Sequence, residues 1–270
     1  MRLALILVLS SALLHALWNV LLANAPKGFD VNIAANALGF AAWTPLALIR
    51  WRVDEAAWGY LAVSACFSAT YFLLLNVAYA RAPVHAAYPV ARGLAPVLLL
   101  VLASSIAGRV DPRAGLGVLI ISAGILLTAS GADRRSILAA APVAVSLTCY
   151  TYVASLGLKH ADPATYFWLS MAPLIVIATV SRLFTDAAAF TVHLRPVTFA
   201  IGLGSVGAHG LMLAALSLVT AAQVPAIAAL RETGILFVVA LSWLTVRKMA
   251  AHTAVGALLI FGGVVVLAIN

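Results

Sequence analysis

From Leu3 to Ile269 the chain is a succession of apolar runs of about 20 residues, and this feature leaves few folds open. At a rise of about 1.5 Å per residue, one such helical run crosses the roughly 30 Å hydrocarbon core of a bilayer. Of 270 residues, 64% are hydrophobic and 9% charged. A water-soluble domain carries roughly 25% charged residues, so a soluble globule is excluded. The opening Met1-Arg2, with Leu3 to Leu9 and Ser10-Ser11-Ala12, superficially resembles a signal peptide. Its apolar run continues through Leu22, however, beyond the roughly 7 to 15 residues of a signal core, and is read as a first span.

Charge, proline and glycine punctuate the runs near 24–30, 50–55, 81–83, 109–113, 133–136, 159–163, 185–195 and 247–252. One more break follows from length: residues 197–230 are too many for a single span, and Ala221-Ala222-Gln223 with Pro225 supplies a turn. The pattern predicts an all-α integral membrane protein of ten transmembrane helices, near 3–24, 30–49, 56–78, 84–106, 114–131, 137–158, 163–182, 196–219, 223–245 and 253–269.

Displacing the chain by 139 positions lays residues 78–128 on 217–267 without a gap. Arg92 then falls on Arg231, Gly117 on Gly256 and Gly124 on Gly263, with Leu102 on Leu241 and Ile121 on Ile260. The rare types carry the weight, and they predict two five-helix repeats, 1–132 and 133–270. Five is odd, so the second repeat enters from the opposite face and is inverted about an axis in the membrane plane.

The net charge of +8 lies in short gaps between spans, where it anchors to headgroups. No basic stripe with interleaved aromatics exists, so no nucleic-acid partner is expected. Cys66 and Cys149 fall inside spans without metal-ligand spacing and read as small apolar residues, so neither a cofactor nor a metal is expected. The count of Arg and Lys on alternate loops mildly favours an outside N-terminus, although the loops of the first half lean the other way.

Intramembrane ionisable residues are functional candidates by default. Seven of the eight acidic residues lie at gaps, and only Glu232 lies well inside a span. Arg92 and Arg231 each sit about eight residues, roughly 12 Å, into their helices, so inverted repeats would bring both guanidinium groups toward the midplane. A planar guanidinium holds carboxylate, phosphate or phosphonate oxygens in pairs. Two readings stand: Arg92 and Arg231 contact a solute or coupling ion, or Arg92 pairs with Glu232 and locks the halves together. Glu232 does not neutralise Arg231, because adjacent helix positions face apart.

His15 and His209 also lie far from helix ends, as carbonyl donors or as groups that titrate or touch solute. Trp18 and Asn19 follow His15, while Tyr150 and Tyr152 occupy the related stretch of the sixth helix; Tyr88, Asn36 and Asn76 add further polar groups. Each is also a plausible helix–helix contact. Pro89 and Pro96 flank Arg92, and Pro225 precedes Arg231, at positions that free carbonyls or bend helices.

The stretches His15-Ala16-Leu17-Trp18-Asn19 and Tyr88-Pro89-Val90-Ala91-Arg92-Gly93-Leu94-Ala95-Pro96, with the glycine-bearing fifth and tenth helices, resemble the EamA-like family of the drug/metabolite transporter superfamily. Leu230-Arg231-Glu232-Thr233-Gly234 looks like the second-half counterpart, with Thr233 where the family often has proline. Many relatives end the fourth and ninth helices with Gly-Glu; here the residues are Gly108-Arg109 and Arg247-Lys248, so no role of that glutamate carries over.

The resemblance implies a multi-pass protein of the cytoplasmic membrane, with both termini cytoplasmic and a cavity lined by helices 1 to 4 and 6 to 9. It implies a secondary transporter, not an enzyme, moving a small polar metabolite (amino-acid-like or an organic anion) by alternating access. A proton is the candidate coupling ion. The expected substrate-binding or gating set is Arg92, Arg231, Glu232, His15, Trp18, Asn19, Tyr88, Tyr152 and His209. A phosphonate or organophosphate permease and a lipid-linked-sugar flippase-like protein are the alternatives. An intramembrane enzyme would need more than this chain offers, which has no HExxH or GxSxG and one mid-span acid.

Overall fold

With so little polar side-chain surface, the backbone itself must supply its own hydrogen-bond partners, and helices do so within one segment. The computed structural model describes residues 2–25, 29–108, 111–129, 132–191, 193–237 and 250–269. Eight of its helices are long and apolar enough to cross a membrane. They are α1 (Arg2–Ala23), α2 (Phe29–Ile49), α3 (Ala57–Arg81), α4 (Val84–Ala107), α6 (Arg134–Gly157), α7 (Pro163–Thr191), α8 (Pro196–Ser217) and α10 (Ala251–Ala268). Among the described residues there are also two shorter helices, α5 (Pro112–Leu127) and α9 (Val224–Arg231). Among the described residues the architecture is all-helical; one isolated antiparallel bridge joins Val53 and Ala161. Lys27, Arg109, and the expected ninth helix from 238 onward, with Leu241, Arg247 and Lys248, lie outside the described residues.

Helix ends follow local chemistry. The α4 helix stops at Gly108, whose φ of 74° is open to glycine and costly for other residues. Asp111 caps α5 by accepting from the Arg113 amide ahead of Pro112, and Asp133 caps α6 by accepting from the Ser136 amide. These caps start α5 and α6 two to three residues earlier than apolarity alone suggests. The α7 helix outruns its expected end at 182; it breaks at Asp186 (φ −160°, ψ 78°) and resumes over an alanine-rich stretch. Phe190 holds that extension down, buried against Ile33 and Ala34.

The turn expected near Ala221 is a 3-10 segment, Ala221–Gln223, closed by a reciprocal Thr220–Gln223 capping box. The α9 helix, expected to run on to 245, is interrupted after Arg231 by a turn at 232–233, and the chain is helical again over 234–237. Its next amides step back to i−3: Glu232 to Ala229, Thr233 to Leu230, Ile235 to Glu232 and Leu236 to Thr233. The chain thus tightens at the two charged residues.

Large apolar side chains cover the outside of the bundle as well as filling its core. Ala, Ser and Thr are frequent in the interior beside larger side chains such as Leu99, Ile121, Ile125 and Tyr166, while Leu3, Ile6, Ile49, Leu73, Ile177, Phe184 and Leu258 face outward. Lipid tails are as apolar as leucine, so close backbone approach, rather than apolar burial, is what helix association gains. The α5 and α10 helices cross antiparallel on glycine: a Cβ on Gly124 would meet the Gly256 carbonyl at 2.7 Å, and one on Gly263 the Gly117 carbonyl at 2.9 Å. Parallel α2 and α8 meet backbone to backbone at Gly202 against Ala35 and Gly39. The α1 helix runs antiparallel to α8, with Ser11 donating to the Ala208 carbonyl at 2.6 Å; α6 runs antiparallel to α3, with Ser146 donating to the Phe67 carbonyl at 2.8 Å.

One end of the bundle is closed by the loops before α3 and α7. Arg50 bonds Asp162 at 3.0 Å, the Asp54 amide donates to the His160 carbonyl, and the Asp162 amide donates to the Arg52 carbonyl. Trp43 donates to the Ala164 carbonyl just inside. At the opposite end Asp30 pairs with Arg182, tying antiparallel α2 and α7 there as well.

Candidate functional site

Arg92 lies in the middle of α4, four residues before Pro96, whose ring nitrogen cannot donate to the Arg92 carbonyl. Its guanidinium is buried, with 7% of the residue exposed, and donates through Nη1 to Glu232 Oε1 at 2.9 Å. The Tyr88 ring one turn earlier lies under the same guanidinium, 5.2 Å from its centroid. Glu232, 9% exposed, occupies the tightened turn after α9. The sequence reading left pairing and solute contact open for Arg92; the structure makes the pair.

Arg231, 6% exposed, points elsewhere, as adjacent helical positions require. Its Nη2 lies 3.5 Å from His209 Nε2 on α8. His209 Nδ1 faces the Ser205 carbonyl at 3.3 Å. A carbonyl only accepts and a guanidinium only donates, so these neighbours fix the neutral tautomer with hydrogen on Nδ1. His15 on α1 sits within the electrostatic reach of Arg231, Arg92 and His209, with Trp18 edge-on to it at 5.2 Å. The structure therefore gathers Arg92, Tyr88, Glu232, Arg231, His209, His15 and Trp18 into one cluster.

Two expected members fall outside it. Asn19 turns its amide back to the His15 carbonyl at 2.7 Å, one turn along its own helix. Tyr152 is packed in the main apolar core, whereas its neighbour Tyr150 packs with Tyr71 against a second apolar cluster that also holds Ala91 and Ala95 of α4. Tyr150 and Tyr71 meet edge-on at 5.9 Å within the field of Arg92. Tyr71 on α3 escaped the sequence reading; a tyrosine inside an apolar run was its only signal. Asn36 and Asn76 donate to carbonyls of their own helices, and Asn36 Oδ1 also accepts from Ser205 at 3.5 Å.

Among the described residues, four buried nitrogens of the cluster have no hydrogen-bond partner: Arg92 Nε, Arg231 Nε, Trp18 Nε1 and His15 Nδ1. Beside Arg231 and Glu232 lies a cavity of about 20 Å³, bounded by Ala95, Leu99, Thr148, Thr151 and Met212. It has room for about one water. A larger recess of about 240 Å³ opens at the helix ends beside α9, lined by Leu5, Asp111, Gln223, Ile227 and Leu230. No group of three or more metal-ligating side chains converges among the described residues.

Comparison with protein-family models and with curated proteins finds no match. Among solved structures, the crystal structure of a protein 19% identical in sequence superposes with a TM-score of 0.71, covering 98% of this chain and 96% of its own. At that identity the likeness shows a shared fold and nothing of chemistry.

Proposed function

We propose that this multi-pass membrane protein is a secondary transporter of a small polar metabolite, of the EamA-like type, working by alternating access of two inverted five-helix halves. The observation that carries the reading is the buried Arg92–Glu232 pair, which joins α4 of one half to α9 of the other amid unpartnered donors. Buried charge of this kind is expensive and serves poorly as glue, since a well-packed apolar contact stabilises as much or more.

The inverted arrangement is supported by contacts that exchange between halves. Ser11 to Ala208 (α1 to α8) has its counterpart in Ser146 to Phe67 (α6 to α3). Gly124 against Gly256 has its counterpart in Gly263 against Gly117. Such reciprocity follows if α1 to α5 and α6 to α10 are related by a two-fold axis. The buried cluster then opens to either face as the halves rock, and the Arg50–Asp162 closure is the gate of one face. Both termini are cytoplasmic in this reading.

Uptake into proteoliposomes, across a panel of amino acids, organic acids, phosphonates and lipid-linked sugars, tests it. Arg92→Ala and Arg231→Ala proteins that remain folded are expected to lose uptake of the transported solute. Unchanged uptake in both would remove the site from the mechanism.

A further inference from the structure

Among the described residues, the charges of the cluster leave Arg231 without a carboxylate partner. The sequence has eight acidic residues. Asp30 is engaged with Arg182 and Asp162 with Arg50, both toward helix ends. Asp54, Glu55, Asp111 and Asp133 lie between helices, and Asp186 lies at the α7 break. Glu232 is taken by Arg92. His209 is neutral or positive and never a counter-anion, so it balances nothing. The C-terminal dipole of α9 offsets part of the Arg231 charge, but an eight-residue helix supplies less than the half charge of a long one.

We propose that Arg231 seats the head group of a small organic anion with one net negative charge, a carboxylate or a phosphonate. The inference rests on the transport reading of the same cluster and narrows its substrate class. A bidentate acceptor on Arg231 would meet the free Nε as well as Nη2. Trp18 Nε1 and Arg92 Nε are donors without acceptor capacity, so the cluster as a whole selects for oxygens. The lining beside the head group is apolar, from Leu99, Leu147 and Met212, with Thr148 and Thr151 already donating to the Ala95 and Leu147 carbonyls. Zwitterionic amino acids are disfavoured, because the one carboxylate of the cluster that would offset their ammonium charge, Glu232, is occupied by Arg92.

The test is thermal melting of the purified full-length protein in detergent, with lactate, methylphosphonate, lactamide or glycine as probes. Lactate or methylphosphonate is expected to raise the melting temperature in a saturable manner, and lactamide and glycine are not. Arg231→Gln is expected to weaken the apparent Kd at least about thirtyfold, with Arg231→Lys intermediate. Without any probe, Arg231→Gln is expected to melt at or above wild type, and Arg92→Gln below it. Equal shifts with glycine and lactate, or a probe-free Arg231→Gln that melts as low as Arg92→Gln, would overturn the proposal. A shift seen only with phosphatidylglycerol micelles would also overturn it, naming a lipid headgroup as the source. Anion stabilisation through Arg231 without uptake in proteoliposomes leaves this inference standing and removes the transport reading; uptake of a neutral solute with no anion response does the reverse.

Discussion

Replacing Glu232 by glutamine keeps shape and hydrogen-bonding capacity while removing the one negative charge of the cluster. Arg92 would then be buried with only the Tyr88 ring for compensation, beside a second unpaired cation at Arg231. At about 4 Å and an effective dielectric of about 20, the lost attraction is about 4 kcal/mol, within the roughly 3–5 kcal/mol seen on breaking one side of a buried pair. The single variants Glu232→Gln and Arg92→Gln should therefore each be strongly destabilised. Removing both charges also removes the desolvation cost of both. The double variant should recover most of the loss, with a coupling energy on the order of 3 kcal/mol. Denaturant or thermal unfolding in one detergent, read for wild type, both singles and the double, measures this. A double variant whose loss equals the sum of the singles would refute the reasoning, because it would mean that the two charges do not interact.

Cysteines at Val53 and Ala161, which form an antiparallel bridge, should crosslink in a background lacking Cys66 and Cys149. The crosslink should arrest uptake until reduced; full uptake by crosslinked protein would exclude this closure as a gate. Gly124→Val should destabilise by about 1–3 kcal/mol, since its Cβ already meets the Gly256 carbonyl at 2.7 Å, whereas Gly262→Val, in open space, should not; unfolding measurements separate them. The Ser136 amide and hydroxyl hold the Asp133 carboxyl below the usual carboxylate range. Its folded value is thus lower than its unfolded one, so its stabilisation is present above the ordinary carboxylate pKa of about 3.9 and is lost as pH falls through the folded value. Asp133→Ala should accordingly melt below wild type near neutral pH, with the gap closing in acid.

What the sequence determined by itself was what lipid demands of a chain. Run length and the scarcity of charge were enough to read helices such as α1, α2 and α8 to within two residues, because a span is a local requirement. The same logic flagged Arg92, Arg231 and Glu232, since a charge at span depth is costly wherever the neighbours lie. Helix ends set by caps and tertiary support were less legible, as the Asp133 cap and the Phe190-anchored extension of α7 illustrate. Only the tertiary structure decided partnership. Arg92 and Glu232 are 140 residues apart; adjacency on one helix already set Arg231 aside as the partner, but whether Arg92 takes the carboxylate or a solute was open until the two helices were placed together. The choice between Tyr150 and Tyr152, and the turning of Asn19 back onto its own helix, depend on how α1, α4, α6 and α9 are rotated against one another. That rotation comes from glycine contacts between distant segments, such as Gly204 under Trp18, and a hydropathy pattern does not record it.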